Sequence, residues 1–154
     1  MLFKSKNKTN NEILLKENIL ISNEEFDVTS AINKVGAMLL KSGYIQEPYI
    51  NAMHQRDKSL SVFLGNYLAV PHGEYEAKDF ILQSGISVLV LPKGMDWNNN
   101  KVHFVVGLAG KGNEHMNILS NIAGIFQEKE NVMKLLDGNS IEKIYQEFSF
   151  KGDL

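Results

Sequence analysis

Four histidines and a single arginine carry most of the chemistry open to this chain, which has no cysteine among its 154 residues. Without cysteine, disulfides, thiolate metal ligands and thiol nucleophiles are excluded. His72 has the most suggestive setting. It follows the apolar, strand-like run Tyr67–Val70 and sits between Pro71 and Gly73 in "NYLAVPHGEYEAK". Proline stops strand pairing and glycine permits backbone geometry that other residues resist. The pair leaves an imidazole, a group that titrates near neutrality, at a strand end with its ring turned outward.

His115 has a second kind of setting. It falls just after Asn113, a helix-capping type, in "GLAGKGNEH", where glycines at 107, 110 and 112 let backbone approach a ligand closely. The first turn of a helix offers unpaired N–H groups and a dipole that favours anions. The alternative is a flexible strand-to-helix loop without a ligand. His103, inside an apolar run, reads as a partly buried structural histidine. His54, amid polar neighbours on a short helix, reads as solvent-facing.

Of the 16 basic residues, 15 are lysine and one is Arg56. Either the lone arginine is an accident of a lysine- and asparagine-rich composition, or it stands where lysine cannot serve. A guanidinium grips two oxygens of a carboxylate or phosphate with a planar fork that an ammonium cannot imitate.

Several chemistries lack their residues. No histidine pair at i,i+4 and no other compact ligand spacing is present; the alternative is that the fold brings His72, His115 and Glu114 together. The glycine-rich "GLAGKGNEH" lacks the Gly-Lys-Ser/Thr ending of a nucleotide phosphate loop. No GxSxG elbow supplies a serine nucleophile. No metal or other cofactor is therefore expected. What remains is histidine as nucleophile, its neutral ring attacking phosphorus and holding the group as an N–P bond. Such a carrier needs an exposed ring and a donor-rich cradle for the oxygens.

The elements that must position these groups read as follows. "NILIS" (18–22) is a short strand. Asp27, Thr29 or Ser30 caps a helix with Ile32, Val35, Leu39 and Leu40 on one face, ending near Gly43. Pro48 opens a second helix, with Tyr49, Ile50 and Met53 inward, running toward Asp57. After the strand that ends at His72, "GISVLVLP" (85–92) and "KVHFVVGLA" (101–109) are nearly continuous apolar runs. These suit central strands covered on both faces. "KGMDWNNN" between them is rich in turn formers and favours a hairpin. Asn113 caps a long helix with Leu119, Ile122, Ala123 and Phe126 at helical spacing. A shorter helix around 132–136 stops at Gly138, and a last one puts Ile141, Ile144, Tyr145 and Phe148 on one face.

The expected fold is α/β: a single mixed sheet of about five strands with helices on both faces. In such sheets, sites form where strand ends meet helix starts. The chain reads as one domain, 1–154, with residues 1–11 a mobile polar tail. Composition agrees, at 44% hydrophobic and 22% charged residues. A formal net charge of −2 provides no basic field for nucleic acid. Apolar runs fall short of the roughly 18–20 residues that a membrane span needs, and no signal peptide opens the chain. A cytoplasmic location is expected, without membrane insertion.

Two blocks, "INAMHQRDKSLSVFLGNYLAVPHGEYEAKD" and "GLAGKGNEHMNILSNIA", make the chain resemble the enzyme IIA domains of mannitol/fructose type in the bacterial sugar phosphotransferase system. The resemblance runs from about residue 18 to 148. It implies that His72 accepts a phosphoryl group on Nε2 from the phosphocarrier protein HPr and passes it to a cysteine of a separate enzyme IIB domain. It also implies that Arg56 and His115 flank that ring. Arg56 is expected to clamp the phosphoryl oxygens; His115 either donates a hydrogen bond to them, the role expected here, or only packs beside His72. The glycine after the histidine and "GNEH" look more like mannitol than fructose members. No direct contact with sugar is expected of a carrier that lacks both the acceptor cysteine and a channel. "KGMDWNNN" is shorter than the corresponding loop in some members. Two other readings stay open: a regulatory IIA-like module that signals by phosphorylation-dependent binding, and a metal-dependent hydrolase built on His72 and His115.

Overall fold

Two apolar runs pair antiparallel at the centre of the sheet. They are β4 (Gly85–Trp97) and β5 (Asn100–Ala109), in register from Gly85 opposite Ala109 to Trp97 opposite Asn100, with an irregularity between Val90 and Met95. The computed structural model describes residues 13–149. The tail expected over residues 1–11 lies outside the described residues.

Around that hairpin the sheet completes itself in the order β1-β4-β5-β3-β2. On one side β1 (Leu14–Ile21) runs parallel to β4. On the other, β3 (Leu68–Ala69) runs parallel to β5 and antiparallel to the edge strand β2 (Phe63–Gly65). The sheet is therefore mixed, with five strands.

Helices cover both faces. α1 (Val28–Lys41) starts at a capping box, in which Asp27 accepts from the Ser30 N–H at 2.8 Å and Ser30 Oγ accepts from the Asp27 N–H at 3.0 Å. α2 (Pro48–Ser59) opens on its proline. Together they bury Ile32, Val35, Leu39, Tyr49 and Met53 against the Leu89, Leu91 and Val105 face. α3 (Glu114–Ile125), α4 (Lys129–Asp137) and α5 (Ile141–Glu147) cover the opposite face. There Ile118, Ile122, Phe126, Ile144 and Phe148 pack on Val88, Phe104 and Val106. Alternate residues of β4 and β5 thus feed two separate cores, which is why both runs are apolar without alternation.

Several expectations are corrected. Leu40, expected on the inward face of α1, is exposed, and α3 packs through Ile118 and Ile122 while Ala123 is exposed. The strand ending at Val70 is shorter than Tyr67–Val70, because Asn66 and Tyr67, at φ 48° and 69°, form the tight turn between β2 and β3. Two-residue hairpin turns of this hand need positive φ at both positions, and β2 itself was not anticipated. The hairpin expected at "KGMDWNNN" is present, but its connection is shorter than expected: only Asn98 and Asn99, at φ 52° and 75°, turn the chain, while Met95 and Trp97 are buried strand residues. Asn113 begins the helical geometry (φ −69°, ψ −17°) but its side chain caps nothing. Ile141 is exposed, and α5 packs through Ile144 and Phe148 instead. Among the described residues no helix is long and apolar enough to cross a membrane.

Candidate functional site

The chain leaves β3 at Ala69 and crosses the end of β5 before it reaches His72. Val70 still pairs through its N–H with Val62 O (3.0 Å), and Pro71 accepts from the Leu108 N–H at 2.9 Å. Proline then ends the pairing, and His72 emerges half-buried beyond the end of β3, an inner strand of the sheet. Its Nδ1 lies 2.8 Å from the carbonyl oxygen of Val70. A carbonyl only accepts, so Nδ1 carries the hydrogen and Nε2 keeps its lone pair. Burial pushes the His72 pKa down to about 4, against some support from the Val70 bond, and His115 and Arg56 add to the lowering. At neutral pH the ring is uncharged and its free nitrogen nucleophilic.

His115 approaches from the other side. Its ring centroid lies 5.2 Å from that of His72, with the planes inclined at 59°. Burial, then the positive charge of Arg56, lowers its pKa as well. The loop before α3 brings it close: a Cβ on Gly110 would lie 2.5 Å from His115 Cα, so only glycine fits there. Ser84 Oγ accepts from the Lys111 N–H at 2.9 Å and donates to Glu114 Oε1, which pins both ends of that loop. One expectation is not met. The N–H groups of Glu114 and His115 turn back to Lys111 O (3.0 Å) and Gly112 O (3.3 Å), so the first turn offers fewer free donors than an open helix start.

Arg56 projects from the last turn of α2 into the same cleft, a space of about 710 Å³ lined also by Tyr49, His72, Gly73, Lys78, His115 and Met116. Its Nη1 donates to the carbonyl of Leu60. The fold thus gathers His72, His115 and Arg56 around one opening, from three elements far apart in sequence. Among the described residues no group of three metal-ligating side chains is assembled, so His72, His115 and Glu114 do not form the metal site considered above.

The other two histidines stand elsewhere. His103 is 9% exposed and donates through Nδ1 to Leu91 O at 2.7 Å, the structural role expected of it. His54, expected to face solvent, is half-buried at the exposed seam of α2 and α1, where its Nε2 donates to Asn33 Oδ1 at 2.8 Å. Helical spacing places Tyr49 inward without marking it as a site residue, yet it lines the cleft and its hydroxyl accepts from the Gly73 N–H at 2.8 Å. A signal existed, since Tyr49 and Arg56 are seven residues apart and so share one face of α2.

Comparison with known proteins agrees with this geometry. Residues 12–151 match the family model described as "Phosphoenolpyruvate-dependent sugar phosphotransferase system, EIIA 2". The mannitol-specific phosphotransferase enzyme IIA component of Halalkalibacterium halodurans is 42% identical over 142 residues, covering 92% of this chain and 96% of that protein. Its counterpart from Bacillus subtilis is 41% identical, covering 90% and 97%. Among solved structures, enzyme IIA of the Escherichia coli mannitol system, in complex with phosphorylated enzyme IIB, superposes with a TM-score of 0.81. It is 28% identical, over 88% of this chain and 96% of that one. With sequence, fold and cleft in agreement, the chain belongs to the EIIA type 2 family of the phosphoenolpyruvate-dependent sugar phosphotransferase system.

Proposed function

We propose that this chain is the phosphohistidine carrier of a mannitol-type uptake system. It takes a phosphoryl group from phosphorylated HPr and hands it to a cysteine of a separate IIB domain. The observation that carries this reading is the hydrogen bond from His72 Nδ1 to Val70 O, which leaves Nε2 unprotonated in an open cleft. The relatives named above, more than 40% identical, are mannitol-specific IIA components, and the superposed Escherichia coli protein is bound to a IIB partner.

In the first step Nε2 of His72 attacks phosphorus, a new N–P bond forms, and the N–P bond to the donor's histidine breaks with its electron pair returning to that nitrogen. In the second step the IIB thiolate attacks phosphorus, the His72 N–P bond breaks, and Nε2 regains its lone pair. Catalysis in such in-line transfers is mostly positioning and charge stabilisation. Arg56 clamps two phosphoryl oxygens, exchanging its contact with Leu60 for them. His115 donates a hydrogen bond as a neutral ring, in keeping with its lowered pKa. The group arrives already activated, and the sugar is met only downstream, by IIB and its permease. The carrier works in the cytoplasm.

The test is a relay. Purified protein, phosphorylated from HPr, is mixed with IIB domains of mannitol and fructose systems. Rapid transfer to the mannitol IIB is expected. Labelled carrier that discharges to neither would point to a regulatory module, and discharge to the fructose IIB alone would reassign the system.

A further inference from the structure

The back wall of the cleft is a tyrosine with an exposure of 1% and a hydroxyl bonded on both sides. Tyr49 Oη donates to the carbonyl of Leu108 at 2.9 Å and accepts from the N–H of Gly73 at 2.8 Å. Burial pushes the phenol up to about 12, so the proton that bonds Leu108 is retained throughout the working range. Leu108 in turn donates its own N–H to Pro71 O at 2.9 Å. The residues before and after His72 are therefore tied to one residue of β5, Pro71 directly and Gly73 through the phenol. The contact is flush: a Cβ on Gly73 would lie 2.6 Å from the Tyr49 ring.

This closed frame does more than fill space. His72 bonds to a carbonyl two residues back in its own chain, a contact set by the backbone angles of Pro71, His72 and their neighbours. If Gly73 swings away, the ring loses the geometry that keeps hydrogen on Nδ1, and either nitrogen can carry it. A loop that drifts by about 1 Å can cost on the order of a hundredfold in a reaction governed by positioning.

We infer that Tyr49 is a positioning residue for phosphoryl transfer, its hydroxyl closing a frame from Pro71 through Leu108 to Gly73 that holds Nδ1 of His72 on Val70 and Nε2 toward the cleft. The inference rests on the reading of His72 as the carrier. It assigns Tyr49 no contact with phosphate.

The test uses Tyr49→Phe, with Phe148→Leu as a control for destabilisation far from the cleft. Tautomers of His72 are read in the unphosphorylated, nitrogen-15-labelled protein from two-bond proton–nitrogen correlations. Single-turnover acceptance from phosphorylated HPr is measured in parallel. Wild type and Phe148→Leu should show one tautomer, with hydrogen on Nδ1, and similar rate constants. Tyr49→Phe should show a mixture and a rate constant about tenfold lower, with half-saturating HPr unchanged. A single tautomer in Tyr49→Phe, or an equal loss of rate in Phe148→Leu, would overturn the inference. If Tyr49→Phe does not fold, Gly73→Ala is read by the same two measurements, and an unchanged tautomer and rate there would overturn it equally. Wild-type protein that takes no phosphate on His72 defeats the carrier reading instead, while the tautomer comparison still decides whether Tyr49 sets the ring.

Discussion

The rings of His72 and His115 stand 5.2 Å apart at an angle of 59°, and the neighbouring His115 adds to the lowering of the His72 pKa. Both are depressed first by burial, and Arg56 adds its fixed positive charge to each. Two neutral imidazoles beside one guanidinium make a site that can receive an anion without first losing protons. On the carrier reading proposed above, Arg56 supplies the charge for the phosphoryl oxygens and neutral His72 the nucleophile.

Arg56→Lys keeps that charge and loses the planar fork. Transfer to IIB should slow by tenfold to a hundredfold, roughly 1–3 kcal/mol of barrier. The half-buried side chain leaves thermal unfolding little changed. Rapid-quench transfer and a melting curve check both halves, and equal rates would reduce the lone arginine to an accident of composition.

For His115 a neutral donor role means that a side-chain amide serves in part. His115→Gln should retain more single-turnover transfer than His115→Ala, and both should still take phosphate on His72. The lifetime of the phosphorylated form is recorded in each. If alanine and wild type agree in rate and lifetime, His115 is a neighbour and Arg56 holds the oxygens without it.

The pH dependence has a definite sign. Folded His72 titrates near 4 against an ordinary value of 6.5. Phosphate acceptance should therefore be flat across neutral pH and fall only as that lower value is approached. Between the two values the unfolded chain binds a proton that the folded chain does not, so stability rises with pH through this window and is lost as pH falls from about 6.5 toward about 4. The lowered pKa of His115 acts in the same direction. Urea unfolding at pH near 7 and near 5 should show a smaller difference in His72→Gln than in wild type. An acceptance rate with a midpoint near 6.5 would contradict the burial of the ring.

Two glycines separate packing from propensity. Gly110→Ala drives a methyl into the His115 backbone and should destabilise by about 1–3 kcal/mol while slowing transfer. Gly124 lies in α3 with nothing within 4 Å of its missing Cβ. Gly124→Ala should stabilise by about 0.4–1 kcal/mol with transfer unchanged. Chemical denaturation of both variants decides the signs.

Much of the site was legible before the fold, because its residues are of rare type in marked settings. Pro-His-Gly after an apolar run, one arginine among lysines, and a histidine at a helix start all converge on the cleft. The turns were harder. Tyr67 at φ 69° is held by tertiary contacts, its ring edge-on to His103 at 5.1 Å and beneath Lys129 at the same distance. Its β-forming type points to strand instead. In "KGMDWNNN" the alternation of buried Met95 and Trp97 with exposed Asp96 was a strand signal overruled by turn-forming composition. Helical spacing puts Tyr49 on the face of Arg56, but it does not reveal the bonds of its hydroxyl, whose partners lie 24 and 59 residues away.

The most direct measurement is the site of labelling itself. Wild type, His72→Ala, His54→Ala and His103→Gln are incubated with radiolabelled phosphorylated HPr and their label located by mass spectrometry and nitrogen NMR. Label should appear on Nε2 of His72 in the wild type, persist in the His54 and His103 variants, and be absent from a folded His72→Ala protein. Label retained by His72→Ala, or found on another histidine of the wild type, would contradict the assignment of His72 as the carrier.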